Sequence, residues 1–318
     1  MTIRIKKSSI STLEEERKAR KEQNLKFNDI LEVTHDIKMT SKTRDRIATC
    51  GDFLTFLADE DLEHTKLKAG NFCGHRFCPH CAYNYARKNS VKVFAIAEYV
   101  KSLGYNLIFL TLTAPNVVGE ELDSELKDYA KAFERLFKRK EVSSIVQGYI
   151  RKLEVTYNLK ANTYHPHYHI LICVNSSYFN SRNYIPRDRW LELWQQSKKD
   201  KTITQVDVRR FQGSDVLELT KYMAKDSHYL HNPKVFKIFY NALKGKRLLS
   251  FSGIFKDAVT KFENGELDYL LEIDETSYIY EVWLSWLGTE YKAFNLRELT
   301  EDEYKKYNHN LITETEVD

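Results

Sequence analysis

The sequence predicts an α+β protein: a central, mainly antiparallel sheet flanked by helices, preceded by a small cysteine-rich zinc-binding module. Three observations carry this. Stretches with strand alternation and stretches with helical spacing interleave as β-α-β-β-α-β-α from residue 106 to about residue 225. Two of the strands follow one another across a short polar loop, as an antiparallel hairpin does. Four of the 5 cysteines are crowded into residues 46–82, ahead of that alternation.

Taken in order, residues 1–45 are polar and charged, with helix-prone stretches such as Leu13–Lys26, and read as a mobile or helical arm. Residues 46–82 form the cysteine module. Tyr83–Leu103 reads as a helix closed by Gly104. Asn106–Thr113 (NLIFLTLT) is apolar and β-prone, and Pro115 ends it. Leu122, Leu126, Tyr129, Phe133 and Leu136 have helical spacing across Glu120–Lys140. Gly148–Tyr157 and His167–Val174 alternate as strands around a loop with Asn158 and Asn162. Pro186 opens a helix through Trp190 and Trp194, Thr202–Arg209 is a further strand, and Ser214 caps a helix running to about Lys225. Beyond Asp226 aromatic and charged segments alternate without a clear plan. The division expected is therefore 1–45 polar or helical arm, 46–82 cysteine module, 83–230 main domain and 231–318 C-terminal region with an acidic tail, the last binding a partner or packing on the main domain.

Composition narrows the class. With 42% hydrophobic and 30% charged residues, and only 11 Gly and 5 Pro in 318, collagen-like and low-complexity readings are excluded. The first twenty residues lack a secretory pattern, and no apolar run approaches the ~20 residues of a membrane span. A soluble, cytoplasmic protein without membrane attachment is expected, so the cysteines point to metal or free thiols before disulfides. The net charge of +4 hides an asymmetry: residues 262–318 hold 15 acidic and 4 basic side chains, so the preceding body is strongly basic. A basic body suits a polyanion, and the acidic tail limits non-specific contact.

The sharpest local signal is Tyr164-His-Pro-His-Tyr-His-Ile-Leu171. Alternation puts His167 and His169 on one strand face and Tyr168, Ile170, Ile172 and Val174 on the other, which belongs to the core. Pro166 cannot donate a ladder hydrogen bond, so the strand is expected to start after it, leaving His165 outside as a weaker candidate. On the preceding strand Lys152, Glu154 and Thr156 share the polar face. A hairpin folding about residues 160–161 brings Glu154 opposite His167 or one pair away. Isolated His-x-His pairs are common surface or core groups; a carboxylate in register makes a three-ligand set with open positions, suited to Mg²⁺ or Mn²⁺ holding a phosphate oxygen.

In Ser214–Lys225, Val216, Leu219 and Met223 form an apolar stripe, and Glu218, Tyr222 and Lys225 share another side at i+4 and i+3. A tyrosine hydroxyl, with its ordinary pKa of about 10, needs a polarised phosphate, a cation or a base to act as nucleophile. Glu218 and Lys225 supply two of these types. Cys73-x4-Cys78-x2-Cys81 with Cys50 upstream completes a four-thiolate zinc set; His64, His75 and His80 could each replace one ligand. Cys173 reads as a core thiol.

In combination, Cys50 with FCGHRFCPHC, FLTLTAPN at 109–116, HPHYHIL at 165–171 and ELTKYMAK at 218–225 resemble the replication initiators of small rolling-circle plasmids of Gram-positive bacteria, within the HUH endonuclease superfamily. The ordered motifs cover about residues 46–226, and Tyr240–Lys256 is also similar to that family's C-terminal part. The resemblance implies an HUH-type palm in which His167 and His169 bind the divalent cation. Tyr222 would attack a DNA phosphate and join the 5′ end, leaving a 3′-OH primer, and Glu218 would activate water at termination. The implied partner is supercoiled plasmid double-strand origin DNA with its nick site extruded in a hairpin. A host helicase and a DNA polymerase would do the rest, since no Gly-x-x-x-x-Gly-Lys-Ser/Thr loop is present. A dimer is compatible with this, although no heptad run or interface stripe appears.

Other readings use some of the same residues. A transposase or relaxase of the superfamily would share the chemistry. A histidine-triad hydrolase is disfavoured by Pro166, by size and by the cysteine block. A non-catalytic zinc-containing DNA-binding regulator would need the cysteines and the basic body but not Tyr222.

Overall fold

The structure, a computed structural model, describes residues 7–221, 232–271 and 274–308. Its first elements are α1 (Lys7–Val33), α2 (Ser41–Ala48), β1 (Phe53–Ala58), β2 (Thr65–Gly70), α3 (Pro79–Ser102), β3 (Asn106–Thr113), α4 (Leu122–Lys138), α5 (Lys140–Ser143), β4 (Gly148–Asn158) and β5 (Thr163–Val174). There follow α6 (Arg187–Lys198), β6 (Val206–Arg210), α7 (Asp215–Thr220), α8 (Pro233–Leu243), β7 (Leu249–Gly253), α9 (Ile254–Glu263), β8 (Tyr280–Trp286), β9 (Tyr291–Glu298) and α10 (Glu301–Asn308). The result is α+β, with antiparallel sheets flanked by helices.

Two units form, one from the described parts of Met1–Tyr85 and Glu272–Thr313, the other from Ala86–Leu271. Packing thus divides the chain after Tyr85 and Leu271, whereas composition suggested divisions after 45, 82 and 230.

The first unit is built on a four-stranded antiparallel sheet of order β2-β1-β8-β9. Phe56 lies opposite Val282 across β1 and β8, pairing segments more than two hundred residues apart. Leu54, Phe56 and Ala58 alternate onto one face and pack with Val282, Leu284, Tyr291 and Leu13 of α1. Residues 7–33 take the helical form of the two expected for this segment, and the helix is docked: Phe27 and Leu31 are buried, and Glu14 accepts a hydrogen bond from Ala293 N of β9 at 2.8 Å.

The second unit holds a five-stranded antiparallel sheet of order β6-β3-β5-β4-β7. One face is covered by α4 and α6. Tyr129 and Phe133 of α4 pack on Tyr168 at ring-centroid distances of 4.7 and 5.4 Å. Two buried aromatics also fix the end of β3: Tyr129 Oη donates to Leu112 O at 2.6 Å and Trp194 Nε1 to Thr113 O at 2.7 Å. His167 and His169 occupy the opposite face.

Pro166 lies inside β5, not before it. Tyr164 exchanges both backbone hydrogen bonds with Val117, so by the period of two the missing N–H of Pro166 faces the same side. There β3 has already ended at Thr113, so no ladder bond is lost. Of the helix expected to about residue 225, α7 covers Asp215–Thr220 and Lys221 takes φ −41° and ψ 132°, while residues 222–225 lie outside the described residues.

Candidate metal centres

The cluster on the second sheet comes from the hairpin register. Asn158 Oδ1 accepts from the N–H of Lys160 and Ala161, at 3.0 and 3.1 Å, and Asn162 takes a positive φ of 51°. The turn so fixed places Glu154 directly opposite His167, with His169 two pairs further along on the same face, opposite Lys152. Glu154 Oε2 lies 2.8 Å from His167 Nε2 and 3.0 Å from His169 Nε2. Burial opposes the charged carboxylate, but hydrogen bonds from the two imidazoles hold it well below the usual carboxylate range. Adjacent ligands of an octahedral cation with bonds of about 2.1 Å stand about 3 Å apart, so the three donor atoms fit one divalent ion.

The imidazoles are oriented from behind. His167 Nδ1 lies 3.3 Å from His165 O, and His169 Nδ1 lies 3.3 Å from Thr111 Oγ1. Each contact leaves Nε2 toward the cluster. His165 has its ring 5.4 Å from that of His167, and the metal-competent group among the described residues is Glu154, His167 and His169 without it. Burial holds the His165 imidazole below its ordinary pKa.

Helix α7 brings Glu218 Oε2 to 3.9 Å from His169 Nε2. Lys221 Nζ lies 3.8 Å from Glu154 Oε1. Tyr222 and Lys225 lie outside the described residues. Sequence reasoning missed Thr111 and Lys221. Thr111 sat in a run read only as apolar strand, where its register to His169 could have been found by pairing β3 with β5. Lys221 carried no signal.

In the first unit, Cys50, Cys73, Cys78 and Cys81 are buried with their sulfurs together. Cys50–Cys81, Cys73–Cys81 and Cys50–Cys78 sulfurs are 3.6, 3.5 and 3.5 Å apart. A disulfide would need about 2.05 Å. A tetrahedral ion with bonds of about 2.3 Å sets sulfurs about 3.8 Å apart, so the set fits one metal ion. Backbone N–H groups of Cys73, Gly74 and His75 point at these sulfurs, and Asn24 Nδ2 of α1 donates to Cys78 Sγ at 3.4 Å. Among the described residues the metal-competent set is these four cysteines without a histidine; His64 is exposed and paired with Asp59, and burial holds the His75 and His80 imidazoles below their ordinary pKa. Cys173, buried in β5, has its thiol pushed up to about 12 by burial.

Residues 64–292 match the Rep_1 family of replication proteins. The chain belongs to that family. The "Protein rep" of Staphylococcus aureus is 45% identical over 193 residues, covering 59% of this chain and 84% of its own length. That of Streptococcus pneumoniae serotype 2 (strain D39) is 33% identical over 294 residues, or 87% and 91% of the two chains. That of Bacillus amyloliquefaciens is 33% identical over 280 residues, or 77% and 82%. No solved structure matches the chain. Membership bears out the resemblance to replication initiators of Gram-positive plasmids, and with it a role in plasmid DNA replication that engages origin DNA. The Rep_1 match spans Cys73, Cys78, Cys81, Glu154, His167, His169 and Glu218, and leaves Cys50 outside it. Among the described residues no helix is long and apolar enough to cross a membrane.

Proposed function

We propose that this Rep_1 protein starts rolling-circle replication by nicking one strand of the plasmid double-strand origin, on an HUH-type palm formed by the five-stranded sheet. The observation that carries this is the convergence of Glu154, His167 and His169 on one point, with Glu218 of α7 beside it. Those three side chains would hold Mn²⁺ or Mg²⁺, which when bound supplies charge neutralisation at the scissile phosphate. The Tyr222 hydroxyl attacks phosphorus, the P–O3′ bond breaks, and the departing oxygen takes a proton to become the 3′-OH primer. A 5′-phosphotyrosyl ester results, and because it keeps the phosphodiester's energy, strand joining needs no ATP. Lys225 steadies the phenolate, and Glu218 takes the proton of the attacking water or hydroxyl at termination. The four cysteines hold structural Zn²⁺, and a hairpin extruded from supercoiled DNA presents the nick site single-stranded. Unwinding and synthesis fall to a host helicase and polymerase.

The test is nicking of supercoiled plasmid DNA carrying the cognate origin, in Mn²⁺ or Mg²⁺ and in EDTA, comparing wild type with Tyr222→Phe. Metal-dependent nicking with protein trapped on the 5′ end, lost in the Phe variant, is expected. Binding without cleavage by wild type in the presence of metal would replace this reading with that of a zinc-containing DNA-binding regulator.

A further inference from the structure

From the end of β5 into the first residue of α6 the chain reads NSSYFNSRNYIPR over residues 175–187, thirteen residues without one carboxylate. This connection is built, not loose. Tyr178 is buried, its hydroxyl accepts from Ile185 N at 3.1 Å, and so the two ends of the loop are tied together. Ser181 Oγ donates to Tyr178 O at 2.9 Å and accepts from Asn183 N at 3.2 Å. On that base Tyr178 packs against Phe179 and Tyr184, with centroids 5.2 and 5.4 Å away, and Tyr184 is 47% exposed.

Arg210, the last residue of β6, lays its guanidinium over the Phe179 ring at 3.8 Å. Among the described residues neither Arg210 nor the exposed Arg182 has an ion-pair partner. Their neighbours differ: Arg189 pairs with Glu141 and Glu192, and Arg209 with Asp207 and Asp215. A guanidinium held flat on an aromatic ring keeps its outer face and N–H fork available, the arrangement that meets phosphate and stacked bases. Exposed tyrosine beside unpaired arginine, with Asn and Ser between, is a surface suited to a single nucleic-acid strand.

Arg210 ends the edge strand β6 and pairs with Ile108, itself opposite Ile172, so by the period of two it lies on the face of the sheet opposite His167 and His169.

We propose that the 175–187 loop and Arg210 form a second DNA contact, taking phosphates on Arg182 and Arg210 and stacking an unpaired base on Tyr184. This rests on membership in the replication family, not on the nicking chemistry. It is tested on the full chain without added Mn²⁺ or Mg²⁺, by fluorescence anisotropy with a labelled mixed-sequence 20-nucleotide single strand and with the matching duplex. Combined Arg182→Ser and Arg210→Ser is expected to weaken single-strand binding about tenfold near 0.1 M salt. The slope of log K against log salt should become shallower by about 1.4, the release expected for two phosphate contacts. Tyr184→Ser is expected to weaken single-strand binding several-fold and spare the duplex, whereas Tyr184→Phe, which keeps the ring, stays at wild type. Unchanged affinity and slope in the double arginine variant, with an unchanged melting temperature, would overturn the proposal. Equal effects of Tyr184→Ser on both probes would overturn the stacking assignment. A wild type that binds the probe yet never nicks would retract only the chemistry proposed above.

Discussion

Thr111 Oγ1 stands 3.3 Å from His169 Nδ1, on the opposite side of the imidazole from Glu154, because β3 places the two residues directly across from one another. The hydroxyl holds the ring so that Nε2 faces the carboxylate. Thr111→Val, close in shape, is expected to reduce Mn²⁺ affinity about tenfold, the usual cost of losing such an orienting contact, while Thr111→Ser retains it. Calorimetric titration of the metal into each variant decides this, and equal affinities would remove Thr111 from the site.

Glu218 is 3.9 Å from His169 Nε2 and half exposed, a position from which it can accept a proton without being consumed as a ligand. Glu218→Gln keeps the shape and removes the base. We expect it to nick at a rate within a few-fold of wild type but to accumulate protein joined to the 5′ end, visible on a denaturing gel. An unchanged release profile would exclude the base role.

Lys21 is a lysine with 1% exposure, and α1 drives it into the cysteine region. Its Nζ donates to Cys50 O at 3.0 Å and Ala48 O at 3.2 Å and pairs with Asp52 at 2.6 Å. The charge sits against the backbone carbonyl of Cys50, one of the four cysteines whose thiols would be anionic in a zinc complex. Lys21→Met is expected to cost about 2–3 kcal/mol of unfolding free energy by leaving two carbonyls and a carboxylate without their donor. Denaturant unfolding measures that loss, and a colorimetric chelator should withdraw zinc faster from the variant. Unaltered stability and release would make Lys21 a bystander.

In the second unit Lys198 Nζ lies 3.0 Å from Glu125 and 2.6 Å from Asp128, tying α6 to α4. Burial raises the Asp128 pKa, but hydrogen bonds and charge from Lys198 and Arg135 outweigh it and leave the carboxyl below its ordinary value. A depressed carboxyl stabilises above its unfolded pKa and loses that contribution as pH falls through the folded one. Glu125 works the other way, because burial raises it. Lys198→Met is expected to cost about 1–2 kcal/mol at pH 7 after allowance for solvent screening. The melting-temperature gap to wild type should close as pH falls from about 5 to about 3, below the ordinary carboxylate range; a gap that widens there would contradict this account.

The parts of this protein that could be read from its sequence are those where neighbours in the chain are neighbours in space. Alternation and a short turn suffice to pair β4 with β5, and α4 shows its buried side as Leu122, Leu126, Tyr129, Phe133 and Leu136. Pro166 misled because the rule against proline in a strand assumes a partner on both sides, and β3 stops at Thr113. The end of α7 was not legible because the apolar spacing continues past Thr220 while the backbone turns extended at Lys221. Nothing local announces the pairing of β1 with β8, since each strand carries its own alternation and no sign of its partner. For the same reason residues 1–45 read only as a mobile or helical arm with no packing indicated, although Phe27 and Leu31 give α1 a buried side.

That long-range pairing sets an order of assembly on the ribosome. Every strand of the five-stranded sheet has been synthesised once residue 253 has emerged, so that sheet can form while the chain is still growing. Strands β1 and β2, although made first, have Leu13 of α1 from the earlier chain but must wait for β8 and β9 before their apolar face is fully covered. Until then the newborn N-terminal segment exposes Leu54 and Phe56 and holds its thiols on an unfinished scaffold, and a nascent chain stalled before residue 280 would be the species most prone to aggregate or be degraded.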